Sequence, residues 1–463
     1  MTATPDGPHD PWRPAFHFTP PRGWMNDPNG LILWRGRHQL FYQHNPYSPA
    51  PDRPMHWGHA DSTDLLRWRH LPIALAPSEP YDAGMGCWSG SAVEDAGRLR
   101  LVYTGARKIE EQVVCLASGD DGTSFSKDPA NPVIAGPPEG FSRDFRDPRV
   151  FRWGARWRVV IGASRNGCGC VLLYESEDLR SWSYLGVLAA NDGSRGTMWE
   201  CPDLFPLGDR WVLVVSPLGM PGVGSLAMIG RLADDGKRLE VEEDQILDFG
   251  HDFYAPQTME GTGGRRIMIA WMDRWNSPEP PTVAGGWRGA MTLPREIRPG
   301  PGGKGLAIRP VEELAAWRVP LPLQAPGEIE AETADVVVEL DSDPALGGEL
   351  EIVFRGSRDG AEGTRVTYAA GLDEVEVDPT KSGTAARGPR RMAGRRAGGR
   401  VLLRAVLDRC SLEVFAGDPP TGSLSTLIFP RPGDLRIAVR TQGKGIRVRR
   451  LEAFRLTEPP GGR

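Results

Sequence analysis

Short apolar runs, each opened by a polar or glycine turn, recur along the first part of the chain. They read GRHQLFYQ around Leu40, GRLRLVYT around Leu101, ARWRVVIG around Val159, DRWVLVVS around Leu213 and RRIMIAWM around Met268. Their spacings are 61, 58, 54 and 55 residues. A second echo follows the early runs, an extended stretch that ends in a polar turn and an aromatic. It is Ser62, Asp64, Leu65 and Trp68, then Ser118, Asp120 and Phe125, then Ser176, Asp178, Leu179 and Trp182. Between the Gly, Asp and Pro turns every run is strand-like, and none has helical periodicity. Near-regular self-similarity of this length marks a propeller or an array. Four short strands fill one period, and five repeats predict a five-bladed β-propeller.

Beyond about residue 300 the pattern changes, and Trp317 is the only tryptophan after Trp287. Segment 301–325 opens with Pro and Gly and contains VEELAAWR, which predicts a linker with one short helix. Then come DVVVEL, LEIVF, VTYAAG, VLLRAVL, LEVFAG, LRIAVR and IRVRRLEAF, strands of an antiparallel β-sandwich. The expected organisation is all-β: a five-bladed propeller over 1–300, the linker over 301–325 and a C-terminal β-sandwich over 326–463. Within the sandwich, Lys381 to Arg400 is dense in Arg, Gly and Ala. It reads as a flexible surface loop, with a basic binding patch as the alternative.

Composition narrows the function classes. Gly (57) and Pro (43) are plentiful while hydrophobic residues stay at 40%, so the chain is folded and turn-rich. A net charge of −5 calls for neither nucleic acid nor an anionic membrane as partner, and it leaves oligomeric state open. Met1 to Pro20 lacks the basic start and apolar stretch of a secretory signal, and the six cysteines form no disulfide framework. The expected location is cytoplasmic. Cys168 and Cys170 have no second pair at zinc spacing, and His56 and His59 on one strand would face opposite ways, so no metal and no cofactor are expected.

The repeat also points to chemistry. Asp27 precedes Leu40 by 13 residues, Asp147 precedes Val159 by 12 and Glu200 precedes Leu213 by 13. Three acids at equivalent inner-strand positions would converge on one axial pocket. Trp88 and the Tyr254–Ala255 pair are the matching places in the other two repeats, and Trp271 joins the aromatic set. Carboxyls with flat apolar rings suit a sugar-cleaving site. The competing view is that Asp27-Pro28 and Asp147-Pro148 are ordinary turn formers, which fits Glu200 less well.

At these residues the sequence resembles glycoside hydrolase family 32, the family of invertases, sucrose-6-phosphate hydrolases, levanases and inulinases. Trp24-Met25-Asn26-Asp27-Pro28-Asn29-Gly30 is similar to its nucleophile signature, and Phe41-Tyr42-Gln43-His44-Asn45-Pro46 to the block that follows. Arg146-Asp147-Pro148 resembles the motif of the transition-state stabiliser, and Glu200-Cys201-Pro202 the acid/base block. Trp88-Ser89-Gly90-Ser91 and Asp252-Phe253-Tyr254-Ala255-Pro256-Gln257 are lesser matches, with Trp88 standing where many members carry Phe. Glu413-Val414-Phe415 resembles a block of the family's sandwich.

The resemblance implies a retaining β-fructosidase acting on sucrose or a fructo-oligosaccharide, with Asp27 as nucleophile and Glu200 as general acid/base. It implies that Asp147 binds ring hydroxyls and that Arg146 steadies the Asp147 carboxylate. Asn26, Gln43 and Ser89 are candidates for sugar hydroxyls, and Trp24, Trp57 and Trp88 for the apolar wall. Retention asks for carboxyls about 5 to 5.5 Å apart, whereas an inverting arabinan- or xylan-type hydrolase would need roughly 6.5 to 9.5 Å. A fructosyltransferase and a non-catalytic fructan-binding module are the other readings. Preference among sucrose, sucrose 6-phosphate, levan and inulin is not legible in the sequence.

Overall fold

A computed structural model describes residues 10–385 and 387–460. Residues 1–9, part of the Met1 to Pro20 stretch read above for a secretory signal, lie outside the described residues. The first three hundred or so residues form five antiparallel sheets of four main strands, the blades of a propeller. Their inner strands are Gly23–Trp34 (blade I), Gly86–Asp95 (II), Phe145–Trp153 (III), Met198–Leu207 (IV) and Tyr254–Glu260 (V). Each inner strand packs on the next, and that of blade V returns to that of blade I. Two residues, Trp287–Arg288, pair in parallel with Gly23 and Trp24, so a late segment clasps the first blade.

Stacking explains the sequence pattern. The second strand of blade III, Arg156–Arg165, is buried from Trp157 to Ser164 because both its faces meet neighbouring blades. Such a strand needs a continuous apolar run, not alternation. Outer strands such as Arg69–Leu75 and Leu239–Ile246 are largely exposed. The Ser-x-Asp echo builds one turn twice. Asp64 Oδ1 accepts from the Leu66 and Arg67 amides and Trp68 Nε1 donates to Leu65 O, while Asp178 Oδ1 accepts from Arg180 and Ser181 and Trp182 Nε1 donates to Leu179 O. Leu65 and Leu179 both take a left-handed φ, 66° and 64°. In blade II the accepting residue is Asp121 in place of Asp120.

The C-terminal part is a β-sandwich of two six-stranded sheets. In Glu349–Gly356, Leu350, Ile352 and Phe354 point into its core while Glu349 and Glu351 point outward, the two-residue period of a half-buried strand. The expected boundaries shift. Leu306–Pro310 is the outer strand of blade V, and Arg318–Leu321 already pairs with the last strand of the sandwich, Ile446–Leu456. The Pro/Gly opening of the expected linker, 301–305, is therefore a tight hairpin turn between two strands of one blade. The predicted helix is a 3₁₀ helix over Glu312–Trp317 that buries Leu314 and Trp317.

The Arg/Gly-rich segment is not a free loop either. Arg390–Ala393 forms an edge strand beside Glu374–Lys381, and Arg387 Nη1 donates to buried Asp252 Oδ1 at 2.6 Å on the propeller. Deeper in the interface, fully buried Arg295 donates through Nη1 to Asp248 at 3.0 Å and through Nε to Glu413 at 3.1 Å. His17 sits between Asp408 (2.8 Å) and Glu413 (2.9 Å). Burial alone would push His17 down, but the two carboxylates outweigh it and raise its pKa to about 9.

Candidate active site

Every inner strand is broken by a β-bulge at the same end of the axis. The register shifts fall between Met25 and Pro28, Trp88 and Gly90, Arg146 and Arg149, Glu200 and Asp203, and Tyr254 and Gln257. A bulge suspends the up-and-down alternation of a strand, so two consecutive side chains can face one way. Asn26 with Asp27, Trp88 with Ser89, and Arg146 with Asp147 all line one cavity of about 520 Å³, together with Gln43 and Glu200. This volume falls within the range of small-molecule sites.

The acids are not in strict register. Asp147, Cys201 and Ala255 share a left-handed φ of 64°, 49° and 50°, so Cys201 is the blade IV counterpart of Asp147. Glu200 lies one residue earlier, level with Arg146 and Tyr254. The expected equivalence of three acids is corrected by one residue, and the bulge is why Glu200 still reaches the cavity.

Cys201 ties the group together. Its amide donates to Asp147 Oδ2 at 2.9 Å, and its thiol lies 3.5 Å from both Asp147 Oδ2 and Asp27 Oδ2. The two carboxyl oxygens are thus within twice 3.5 Å of each other. Burial and the adjacent carboxylates push the thiol far up, so it stays protonated. Asp27 Oδ2 also accepts from Ser89 Oγ at 2.7 Å, and Oδ1 from Asn26 Nδ2 at 3.2 Å. Burial raises Asp27 to about 6, with the Ser89 hydrogen bond pulling against it and Glu200 adding to it. Burial likewise raises Asp147 to about 7, opposed by the Arg146 charge and reinforced by Glu200 and Asp27.

Both oxygens of Glu200 are held. Arg146 Nε donates to Oε1 at 2.9 Å and the Tyr254 hydroxyl to Oε2 at 2.5 Å. Arg146 was expected to steady Asp147; instead its guanidinium bonds Glu200, Asp144 and Gln112, because the bulge turns it along the cavity wall towards blade IV. Asp147 is held by backbone, its own amide donating to Thr104 Oγ1 at 2.8 Å.

Several expected wall residues sit behind the wall. Trp57 is fully buried and donates to the Trp88 carbonyl at 3.0 Å. Trp24 is buried and donates to Asn26 Oδ1 at 2.8 Å. Trp271 is fully buried and packs edge-on against Trp24 and Tyr254. These rings position the lining residues, whereas Trp88 reaches the cavity itself. Sequence reasoning missed Trp275, 41% exposed and stacked on Trp24 at 5.9 Å, and the loop residues Asp52, Arg53, Met55, Met85 and Ile109. The signal for Trp275 was present, a second Trp after a strand end in WMDRWN. For the loop residues no periodic signal existed.

Comparison with known proteins bears on this geometry. The family model for the glycosyl hydrolases family 32 N-terminal domain matches residues 17–310, and that for the family 32 C-terminal domain matches 312–455. The chain is 39% identical to a raffinose invertase of Escherichia coli, covering 92% of each, and 35% identical to a sucrose-6-phosphate hydrolase of Bacillus subtilis, covering 94% of this chain and 92% of that one. Among solved structures it is similar to a Bombyx mori family 32 β-fructofuranosidase in complex with sucrose, with TM-score 0.82, 34% identity and coverage of 97% and 94%. It is also similar to fructan 1-exohydrolase IIa of Cichorium intybus, with TM-score 0.85, 25% identity and 98% coverage of each.

Proposed function

The chain belongs to glycoside hydrolase family 32, and we propose on that premise that it is a retaining β-fructosidase that releases terminal β-D-fructofuranosyl units from sucrose or short fructans. The observation that carries the reading is the knot of carboxylates from blades I, III and IV around Cys201 in one cavity.

Asp27 attacks C2 of the fructosyl unit as the C2–O glycosidic bond breaks, and Glu200 gives its proton to the departing oxygen. Water then adds at C2 and passes a proton to Glu200, which frees the Asp27 carboxylate. Two features favour these roles. Asp27 is held ionised by three donors, Ser89, Asn26 and the Cys201 thiol, and above a pH of about 6 its attacking form predominates. Glu200 is clamped at both oxygens and keeps 15% of its side chain exposed, which suits a group that must meet water. Asp147 is fixed by backbone, and its carboxylate, which predominates above a pH of about 7, places negative charge in a water-poor site and so favours the oxocarbenium-like transition state over the neutral sugar. Trp88 and Trp275 supply the apolar walls.

Proton NMR of sucrose cleavage tests the stereochemistry, with β-D-fructofuranose expected as the first product. Asp27→Ala is expected to abolish turnover without unfolding, and an unchanged rate would remove Asp27 as nucleophile. We also place the protein in the cytoplasm: all six cysteines are unpaired, and no helix among the described residues is long and apolar enough to cross a membrane. Fractionation of the producing cell tests that.

A further inference from the structure

Gln112 is a buried polar side chain of blade II that the mechanism above does not use. It stands near the start of Glu111–Gly119, just past the turn that joins this strand to Arg98–Lys108. Ile109, in that turn, lines the mouth of the catalytic cavity. The side-chain amide of Gln112 makes three hydrogen bonds. Nε2 donates to Ile109 O at 2.6 Å, while Oε1 accepts from the Phe145 amide at 3.0 Å and from Arg146 Nη1 at 3.2 Å. A carbonyl on one side and two N–H groups on the other fix which way this amide points.

Arg146 has two catalytic carboxylates within its reach, Asp147 beside it in the chain and Glu200 on blade IV. Its Nη1 is gripped by Gln112 and by Asp144 Oδ1 at 2.8 Å, and its Nε donates to Glu200 Oε1 at 2.9 Å. Burial works against the guanidinium charge, but Glu200, Asp147 and Asp144 outweigh it and keep Arg146 protonated. A guanidinium only donates, so Glu200 Oε1 must accept. The proton bound for the leaving group therefore rides on Oε2, where the Tyr254 hydroxyl can turn to accept as well as donate. As that proton departs, charge grows on a carboxylate already aligned with a fixed cation, which favours the transition state over the ground state.

We propose that Gln112, together with Asp144, is a positioning residue for acid catalysis, holding Arg146 on Glu200 Oε1 and away from Asp147. This role rests on the fructosidase reading, with Glu200 as the proton donor. The competing role is that Gln112 only caps the Phe145 amide and closes the Ile109 turn, and such a role would be blind to the leaving group.

The test measures kcat/KM on sucrose and on a nitrophenyl β-D-fructofuranoside, whose acidic leaving group departs with little help from a proton. The proteins are the wild type, Gln112→Met, Asp144→Ala, Arg146→Lys and the double variant Gln112→Met/Arg146→Lys, with melting curves to verify folding. Gln112→Met fills similar space without the amide and is expected to lose about tenfold on sucrose and less than about threefold on the nitrophenyl fructoside. Asp144→Ala, at a side chain 41% exposed, should show the same selective loss and carries the test if Gln112→Met fails to fold. In the Arg146→Lys background, which lacks the guanidinium fork, Gln112→Met should cost almost nothing more. Equal losses on both substrates, or losses that multiply in the double variant, would overturn the positioning role. Absence of fructoside cleavage by the wild type would instead sink the fructosidase reading. A crystal structure of Gln112→Met still decides the grip in that case: Arg146 Nε should have left hydrogen-bonding distance of Glu200 Oε1, and an unmoved pair overturns it.

Discussion

Ser89→Ala isolates the environment of Asp27. In the native site the Ser89 hydroxyl donates to Asp27 Oδ2 at 2.7 Å, and both residues are buried. Burial raises the Asp27 pKa and this hydrogen bond opposes the rise, leaving it at about 6. The attacking species is the carboxylate, and the Asp147 charge is needed too, so kcat/KM of the wild type should begin to fall as pH drops through about 7 and fall more steeply below about 6, where Asp27 takes up its proton. A hydrogen bond to a charged group contributes roughly 1.5–3 kcal/mol, and one pKa unit is about 1.4 kcal/mol. Removing the hydroxyl should therefore move the acid limb up by about 1–2 units. At pH 5 the variant should lose about ten- to a hundredfold in kcat/KM, and the deficit should shrink as pH rises. Initial rates of glucose release from sucrose across pH 4–9, with melting curves at each pH, measure this. An acid limb that stays put, or a deficit independent of pH in a fully folded variant, would refute Asp27 as the group that titrates.

Glu200→Gln keeps the shape of the acid/base and removes its proton, so turnover of sucrose should fall by about 10²–10⁴, with a smaller loss on a fructoside whose leaving group is already acidic; equal losses on both would contradict the role. Tyr254→Phe deletes the donor to Glu200 Oε2 and should cost about tenfold in kcat with little change in KM, read by steady-state kinetics. His17→Ala leaves Asp408 and Glu413 buried without their shared partner, and urea unfolding should show a loss of about 3–5 kcal/mol. Because folding raises the His17 pKa to about 9, its stabilisation is complete below the unfolded value near 6.5 and fades as pH rises through 9; the wild-type melting temperature should drop across that window and that of His17→Ala should not. In Gly162→Ala the new methyl would meet the Trp199 carbonyl at 2.2 Å, so blade IV must shift next to Glu200, and both melting temperature and kcat should fall.

The architecture was legible because a blade repeats. The runs around Leu40, Leu101, Val159, Leu213 and Met268 are the middle strands that stacking buries on both faces. What the repeat hides is a bulge, since one inserted residue leaves composition and spacing almost unchanged. That is why Glu200 was aligned with Asp147 when Cys201 takes that place. Rings were misjudged for a related reason. Trp24, Trp57 and Trp271 carry the same hydrophobicity as Trp88 and Trp275, and only the turn of each backbone decides which faces the cavity and which supports it from behind. Partners distant in sequence were illegible throughout. Nothing near Arg387 announces Asp252, and nothing near Arg146 announces Glu200.

The pairing of Trp287–Arg288 with Gly23 and Trp24 has a bearing on how the chain matures. The strand bearing Asp27 emerges early from the ribosome, yet its free edge is covered only after blade V has been synthesised. Until then that edge is exposed to pairing with other chains, and closing so long a loop is slow. A nascent or truncated chain that stops before Trp287 would hold Asp27, Asp147 and Glu200 in its sequence and still lack the last hydrogen bonds that shut the ring around them.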